Sequence, residues 1–320
     1  MSRMRPLVMN ENMKIYRRPR TWVMLGIVLA ILLASVVINK IYERPSSEEG
    51  QDYRQRLEQR ITSMESQLND ANFAADAEYT KYLKDTVLVA KYALEHNWDT
   101  EKETLWSTVM FSSNLIQLLS IFTIVIAADI VAGEFAGGTI KLLLIRPVRR
   151  WKILLSKYLS TLLFALFGLL LMLVSAMIIG AAAYGVDGFS IPFLAVKNGV
   201  VVERSMFLQS LVNYGYECVS LIMMVTFAFM ISSAFRSSSM AIGLSLGLMF
   251  LGNMITAILQ RYDWIKYFLF SNLNLRQYTA GQTPVVEGMT MGFSIVMLVL
   301  YFAAFMAVAW SLFTKRDVTA

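Results

Sequence analysis

The sequence predicts an all-α polytopic membrane protein with six transmembrane helices. Of its 320 residues, 56% are hydrophobic and 16% are charged, whereas charged residues make up about 25% of an ordinary soluble domain. The mean hydropathy is +0.52. Apolar runs of about the 20 residues that a helix needs to cross the hydrocarbon core occupy residues 21–39, 105–128, 158–184, 218–235, 237–259 and 288–314. We therefore expect six spans.

The first run follows a basic N-terminus, as the hydrophobic part of a signal peptide does. Its apolar part exceeds the roughly 7–15 residues of such a region, and no Ala-x-Ala cleavage site precedes the charged stretch that follows. Residues 1–41 are therefore interpreted as a lead segment and an uncleaved first span. Residues 9–20 are expected to contribute an interfacial helix.

Lysine and arginine are concentrated at the N-terminus and in the loop after the second span. They are Arg3, Arg5, Lys14, Arg17, Arg18 and Arg20, followed by Lys141, Arg146, Arg149, Arg150, Lys152 and Lys157. Because positive residues favour cytoplasmic loops, both termini and this loop are predicted to be cytoplasmic. The net charge of +6 then reflects topology and contact with membrane lipids, and no soluble basic face indicates nucleic-acid binding.

Residues 42–104 form a long polar segment that this topology places outside. Leu57, Ile61, Met64 and Leu68 alternate spacings of four and three residues, which places them on one stripe of a helix. A second helix is expected over residues 77–94. The segment predicts a helical hairpin or stalk packed against the outer face of the bundle. It is either a structural insert or a contact for a substrate or partner.

The five-span region, residues 105–320, contains two further outer stretches. Residues 185–208 predict turns with a short hairpin. Residues 262–288 carry aromatic residues typical of an interfacial belt, and residues 264–270 are expected to dip into the outer leaflet as a short helix. The belt residues are Trp264, Tyr267, Phe268, Phe270 and Tyr278.

Small residues recur every four positions in the fifth run, at Ser239, Gly243 and Gly247. Such a face lets helices approach closely. It predicts packing inside one subunit, with a dimer contact as the alternative.

The segment over residues 133–157, between the second and third runs, is basic and contains turn residues. Gly137 and Gly138 let the chain leave one membrane helix, and residues 140–145 predict a short amphipathic helix. Pro147 ends that helix, since the residue before a proline is pushed out of the helical region. Glu134 is expected at the head of the short helix, where a carboxylate favours the helix dipole.

This segment resembles the cytoplasmic coupling segment of a type 2 ABC exporter permease. The residues that carry the resemblance are Glu134, Gly138, Thr139, Leu142, Arg146, Pro147, Arg149, Arg150 and Lys157. The resemblance implies a six-span permease of a bacterial plasma membrane that pairs with a second permease subunit, identical or different. It also implies two copies of an ABC ATPase subunit, which would bind ATP and magnesium. The long insert after the first span is similar to that of a subgroup exporting antibiotics, peptides, lipid-like compounds or ions.

The chain itself lacks motifs for catalysis or for cofactor binding. The run from Gly133 to Gly138 has the glycine spacing of a phosphate loop, but Thr139 stands where that loop needs lysine. No metal-binding or nucleophile motif is present, and the single histidine, His96, is expected on the surface. The single cysteine, Cys218, has no partner for an intramolecular disulfide. ATP hydrolysis is therefore expected on a separate subunit.

Polar residues within the spans are candidates for a translocation path. An ionisable group inside a span costs free energy, so its presence there indicates a function. Glu217 either faces a cavity or reaches the outer headgroups. Asn114 and Gln117 lie along one polar side of the second span, which serves either a path or interhelical hydrogen bonds.

Two other function classes stay open at this stage. A secondary transporter would need charges at broken helices in repeated halves. A membrane scaffold or sensor would bind a partner through the outer insert.

Overall fold

The computed structural model describes residues 4–42, 51–69, 77–100, 102–139, 148–186, 191–197, 199–279, 282 and 284–315. Six helices in it are long and apolar enough to cross a membrane. They are α2 (Pro19–Tyr42), α5 (Leu105–Ala136), α6 (Arg150–Tyr184), α7 (Met206–Ala234), α8 (Ser238–Leu259) and α10 (Met291–Lys315). The prediction of an all-α, multi-pass membrane protein with six spans is confirmed.

The remaining elements lie at the two ends of the bundle. Helix α1 (Met4–Tyr16) precedes the first span, and we call its end of the bundle the N-terminal face. At the opposite end, the insert face, lie α3 (Gln51–Asn69), α4 (Ala77–Glu95), the hairpin β1 (Phe193–Lys197) and β2 (Val200–Arg204), and the short helix α9 (Leu269–Leu273).

Helices α5 and α6 are longer than a membrane requires. They contain 32 and 35 residues, which at 1.5 Å per residue gives roughly 48 and 52 Å, against about 30 Å of hydrocarbon. The hydroxyl of Ser238, the first residue of α8, donates to Asp129 of α5. The last two turns of α5 therefore extend past the start of α8, and the N-terminal face has helices that project from the bundle.

The central helix of the bundle is α5, which packs against α2, α6, α7 and α8. Ser232 of α7 binds the part of α5 near the N-terminal face. Its hydroxyl donates to Ala128 O at 2.6 Å and accepts from the amides of Val131 and Ala132, both at 3.1 Å. A buried hydroxyl with three backbone partners fixes the position of α7 on α5.

Ser239, Gly243 and Gly247 of α8 do not pack inside the subunit, so that prediction is wrong. Helix α8 turns Ala241, Ser245 and Met249 inward. A Cβ added to Gly243 or Gly247 would meet nothing within 4 Å. The error has a physical reason: every face of this helix is apolar, so spacing alone cannot identify the inward one.

The insert and the β-hairpin form one body outside the six spans. The α3 stripe that begins with Tyr53, Leu57 and Ile61 is buried against α4, and Leu194 of β1 packs on the same cluster. Tyr92 of α4 donates to Glu203 of β2 at 2.7 Å. The predicted second helix is confirmed as α4, and the insert packs on the hairpin that joins the third and fourth spans.

The segment before the last span turns back into the bundle through α9, flanked by 3-10 helices at Asp263–Tyr267 and Leu275–Tyr278. Trp264 and Tyr267 are exposed, as a belt requires, but Phe270 is buried. Its ring lies against Gly252 of α8, where an added Cβ would stand 2.3 Å from the ring. Phe270 therefore belongs to the core, because a glycine on the neighbouring span makes room for it.

Candidate functional site

The N-terminal face holds two carboxylates and two ammonium groups, which we call the four-charge cluster. Glu11 and Lys14 come from α1, Glu134 from the last turn of α5, and Lys157 from the start of α6. Lys157 Nζ lies 2.8 Å from Glu11 Oε2 and 3.2 Å from Glu134 Oε1. Lys14 Nζ lies 2.9 Å from Glu11 Oε1 and 2.7 Å from Glu134 Oε1. Each ammonium group bridges both carboxylates, so the charges alternate around a closed ring.

Most of these charged groups are buried, so each is neutralised mainly by the others in the cluster. The side chain of Lys157 is 1% exposed and that of Glu11 is 6% exposed, whereas that of Lys14 is 37% exposed. Charged side chains are almost never so deeply buried unless they are paired. Burial alone would lower the pKa of Lys14, but its hydrogen bonds to Glu134 and Glu11 outweigh it and raise the pKa above the ordinary value. The cluster therefore fastens α1 to the two projecting helices.

Asp129 anchors a neighbouring set of contacts. Its carboxylate accepts from Arg18 and Arg20, at the junction of α1 and α2, and from Ser238 at the start of α8. A Cβ on Gly133 would lie 2.7 Å from Asp129 Oδ1, so glycine is what leaves space for this carboxylate. The ends of α2, α5 and α8 are thus joined through one buried acid.

The predicted coupling residues divide into four groups. Glu134 and Lys157 belong to the four-charge cluster, and the hydroxyl of Thr139 donates to Glu134. Leu142, Arg146 and Pro147 lie outside the described residues. Arg149 and Arg150 are exposed at the start of α6. Gly138 has a φ of +68° just after α5, in the left-handed region that favours glycine.

Glu134 is not at the head of a short helix, and that expectation is corrected. It lies in α5, its side chain is 12% exposed, and its carboxylate is held by Lys14, Lys157 and the hydroxyl of Thr139. With these three partners, the Glu134 carboxylate links α1, α5 and α6 to one another. A recess of about 520 Å³ lies beside it, lined by residues that include Asn10, Arg18, Asp129 and Thr139.

Near the insert face, the three predicted path residues line one cavity of about 430 Å³, which we call the polar cavity. Asn114 and Gln117 come from α5 and Glu217 from α7. Glu217 lies roughly 16 Å along α7 from its first residue, Met206. The structure thus brings together polar groups from two spans that are distant in sequence, and it places Glu217 at a cavity.

Sequence reasoning missed the group opposite Glu217. Arg276, in the 3-10 helix after α9, places its Nη1 3.5 Å from Glu217 Oε1 and 2.9 Å from Asn114 Oδ1. Asn253 of α8 also lines the cavity. The available signal was an arginine and an asparagine isolated in otherwise apolar sequence, but nothing in the spacing showed that they converge.

The segment that carries Arg276 is held by buried amides. Asn272 Nδ2 donates to Lys266 O and to Phe268 O, both at 2.8 Å. Gln277 Nε2 donates to Ser271 O at 3.0 Å, and Gln277 Oε1 accepts from Val285 N at 2.8 Å. These bonds fix the backbone on both sides of Arg276, and the contacts of its guanidinium to Asn114 and Glu217 fix the end of the side chain.

His96, the single histidine, lies in an aromatic stack. His96 is exposed and stacks on Tyr92 and Trp98, with ring centroids 4.2 and 4.9 Å apart. In the described part of the chain, no three His, Cys, Asp or Glu side chains are grouped so that they could hold a metal ion.

Residues 73–319 match the family described as "Protein of unknown function (DUF2705)". The uncharacterized protein YhcI of Bacillus subtilis strain 168 is 39% identical over 316 residues, which covers 98% of this chain and 98% of that protein. The uncharacterized membrane protein YdbK of the same organism is 32% identical over 211 residues, or 65% of this chain and 81% of that protein. The similarity to YhcI covers nearly the full length of both chains.

Proposed function

We propose that this chain, which belongs to the DUF2705 family of proteins of unknown function, is the membrane subunit of an ATP-driven exporter. In this proposal it pairs with a second permease subunit, identical or different, in a bacterial plasma membrane. Two ABC ATPase subunits bind the N-terminal face, which is cytoplasmic together with both termini. The exported compound belongs to one of the classes named above: an antibiotic, a peptide, a lipid-like compound or an ion.

The observation that carries the proposal is the joint formed by α1, α5 and α6. Residues 140–147 connect the projecting ends of α5 and α6. Glu134 before this connection and Lys157 after it contact each other, and both contact α1. A force applied to the connection by a partner would therefore reach both long helices and α1 together. That is what a coupling segment has to do.

The energy source must be a different chain under this proposal. The glycine run at 133–138 is not followed by the lysine of a phosphate loop, so no side chain there would contact the β- and γ-phosphates of ATP. The recess beside the four-charge cluster offers a polar surface for a protein partner. Arg149 and Arg150 offer a positively charged one at the start of α6, where Arg150 also donates to Thr314 O at 3.2 Å.

The helices weigh against a secondary transporter. Each of the six spans is one continuous helix over its described range, whereas the midplane sites of secondary transporters commonly lie at broken helices. The charges at the N-terminal face also lie in the projecting turns of α5 and α6, away from a midplane ion site.

Co-purification tests the proposal. The tagged chain, extracted from cells that express the neighbouring genes, should carry a soluble phosphate-loop ATPase in equal molar amount, in a complex with two permease subunits. A chain that purifies without an ATPase and transports in liposomes lacking ATP would contradict it.

Charge reversal tests the docking surface. Arg149→Glu with Arg150→Glu should lower the amount of bound ATPase severalfold at an unchanged level of folded protein, because both residues are exposed. Arg261→Glu is the matched control, an exposed arginine on the insert face. Equal ATPase binding by both variants would remove Arg149 and Arg150 from the docking surface. Glu134→Ala is a poorer test, since it would also break the four-charge cluster.

A further inference from the structure

We infer that the polar cavity binds a small zwitterionic amphiphile, a compound that carries an ammonium group and an acidic group close together on an apolar body. The inference rests on the proposed function, because it names the class of compound that such an exporter would take up from this site.

The cavity presents one negative and one positive side chain, and neither is saturated. Glu217 and Arg276 are 21% and 23% exposed, and their contact of 3.5 Å is long for a charged hydrogen bond. Within the described residues, the side-chain contacts of Arg276 to Glu217 and Asn114 both use Nη1. The N–H groups on Nη2 and Nε can donate to further acceptors, and the Glu217 carboxylate has lone pairs to receive an ammonium group.

The charge balance selects against singly charged ligands. The two charges line a cavity between helices and are only partly exposed to solvent, so their electrostatic interactions are stronger than in water. A cation that pairs with Glu217 would leave Arg276 without its partner, and an anion that pairs with Arg276 would do the same to Glu217. Separating a partly buried pair in this way is costly. A zwitterion that inserts between the two groups pairs with both and keeps the cavity neutral. Only singly charged ligands then carry the free-energy cost of leaving Glu217 or Arg276 unpaired.

Apart from Glu217 and Arg276, the described lining residues carry no charge; more of them are polar than apolar, and the apolar ones can contact an apolar body. Amides and hydroxyls, which both donate and accept, surround the charged pair. The apolar lining residues are Met224, Met249, Phe270, Leu273 and Leu275. Two of these are methionines, whose flexible side chains adapt to varied shapes. The volume of about 430 Å³ is within the range of small-molecule sites, roughly 300–1,000 Å³.

Two sources could present this chemistry: the headgroup of a zwitterionic lipid, or a free amphiphile such as a long-chain amino acid. The common requirement is the pair of opposite charges. The two sources are separated by using one probe of each kind.

The test is direct binding to the chain in nanodiscs of phosphatidylglycerol, which contain no zwitterionic lipid. The probe is radiolabelled α-aminododecanoic acid, with binding to empty nanodiscs subtracted. Dodecylamine and dodecanoate are competitors of equal chain length that each carry one charge. We expect each to compete at least about tenfold more weakly than the unlabelled zwitterion, since each forfeits one charged hydrogen bond. Dihexanoyl phosphatidylethanolamine is the lipid arm: stronger competition than the zwitterion assigns the site to lipid headgroups, and weaker competition to free amphiphiles.

Variants test the two charges separately. Glu217→Gln should weaken zwitterion binding about tenfold and make dodecanoate the better of the two singly charged competitors. Arg276→Gln should weaken it similarly and favour dodecylamine. Equal competition by all three twelve-carbon compounds on the unmodified chain would overturn the inference, whatever the variants do. Unchanged preference in both folded variants would also overturn it.

The binding assay contains no ATPase, so its failure differs from failure of the proposed exporter. Selective zwitterion binding by a chain that never co-purifies with an ATPase would keep the site and reject the exporter. A stable ATPase complex without selective binding would reject only the ligand class.

Discussion

Replacing Lys157 by methionine would measure how strongly α1 is held to the bundle. The substitution removes a fully buried ammonium group and changes the four-charge cluster from neutral to a net charge of −1. Breaking a buried ion pair by removing one partner costs about 3–5 kcal/mol. Because Lys14 still contacts both carboxylates and is 37% exposed, we expect the lower end, about 3 kcal/mol. That corresponds to roughly 150-fold more frequent opening.

Hydrogen exchange in nanodiscs is the appropriate assay, because it reports local opening of a single element. Amides of α1 (Met4–Tyr16) should exchange faster by about two orders of magnitude in Lys157→Met, while those of α7 keep the protection of the unmodified chain. Lys14→Met is the matched control, and its effect should be smaller because the side chain is partly exposed.

The double variant Glu11→Gln with Lys157→Met decides whether charge is the cause. It removes one charge of each sign and leaves the 2.7 Å pair between Lys14 and Glu134. We expect it to recover at least half of the lost protection, as coupled residues in one network do. If α1 in Lys157→Met exchanged as slowly as before, or if the double variant opened as readily as the single one, apolar packing would be what holds α1.

Further outcomes can be checked in the same preparation. Gly252→Ala should lower the melting temperature by an amount equivalent to about 1–3 kcal/mol, because its Cβ would stand 2.3 Å from Phe270; Gly243→Ala, with nothing within 4 Å, should change little. Asn272→Leu should remove the side-chain hydrogen bonds to Lys266 O and Phe268 O and speed hydrogen exchange in Asp263–Tyr267, at a cost of about 1–3 kcal/mol; unchanged exchange would show that these bonds do not hold the segment. The pKa of Lys14 is raised in the folded chain, so its stabilising contribution is complete below the unfolded pKa of about 10.4 and is lost as the pH rises through the folded pKa. A spin label at Met9, with Cys218 replaced, should therefore become more mobile only in that alkaline range, and loosening between about pH 7 and 9 would contradict this.

The spans could be predicted because hydropathy is a local property, but their ends could not. Apolar runs stop at the first charged or polar groups, which led to predicted starts at 158 and 218, whereas the helices begin at Arg150 and Met206. The backbone remains helical through polar turns as long as neighbouring helices supply partners. Lys157 has such partners in Glu11 and Glu134, and it is those contacts that let α6 carry a buried lysine.

The candidate sites were partly predictable for the same reason. Glu217 and Asn114 could be identified from sequence because a polar group in an apolar run is unusual, and Lys157 through its place in the segment that resembles a coupling segment. Their partners could not be: Glu11 and Lys157 are 146 positions apart, and Arg276 reaches Glu217 through a segment whose fold depends on buried amides. Contacts of this kind depend on how helices are rotated about their axes, which only three-dimensional packing determines.

The hydrogen bonds of Ser232 hold α5 at residues 128–132, much nearer to one end of the helix than to the other. This point lies roughly 6 Å along the helix from Glu134 and roughly 24 Å from Asn114. If α5 rotates about this point as a rigid rod, a displacement at Glu134 produces a displacement about four times as large at Asn114. A shift of about 0.5 Å at the four-charge cluster would then sweep Asn114 by about 2 Å across the polar cavity, far enough to break its contact with Arg276.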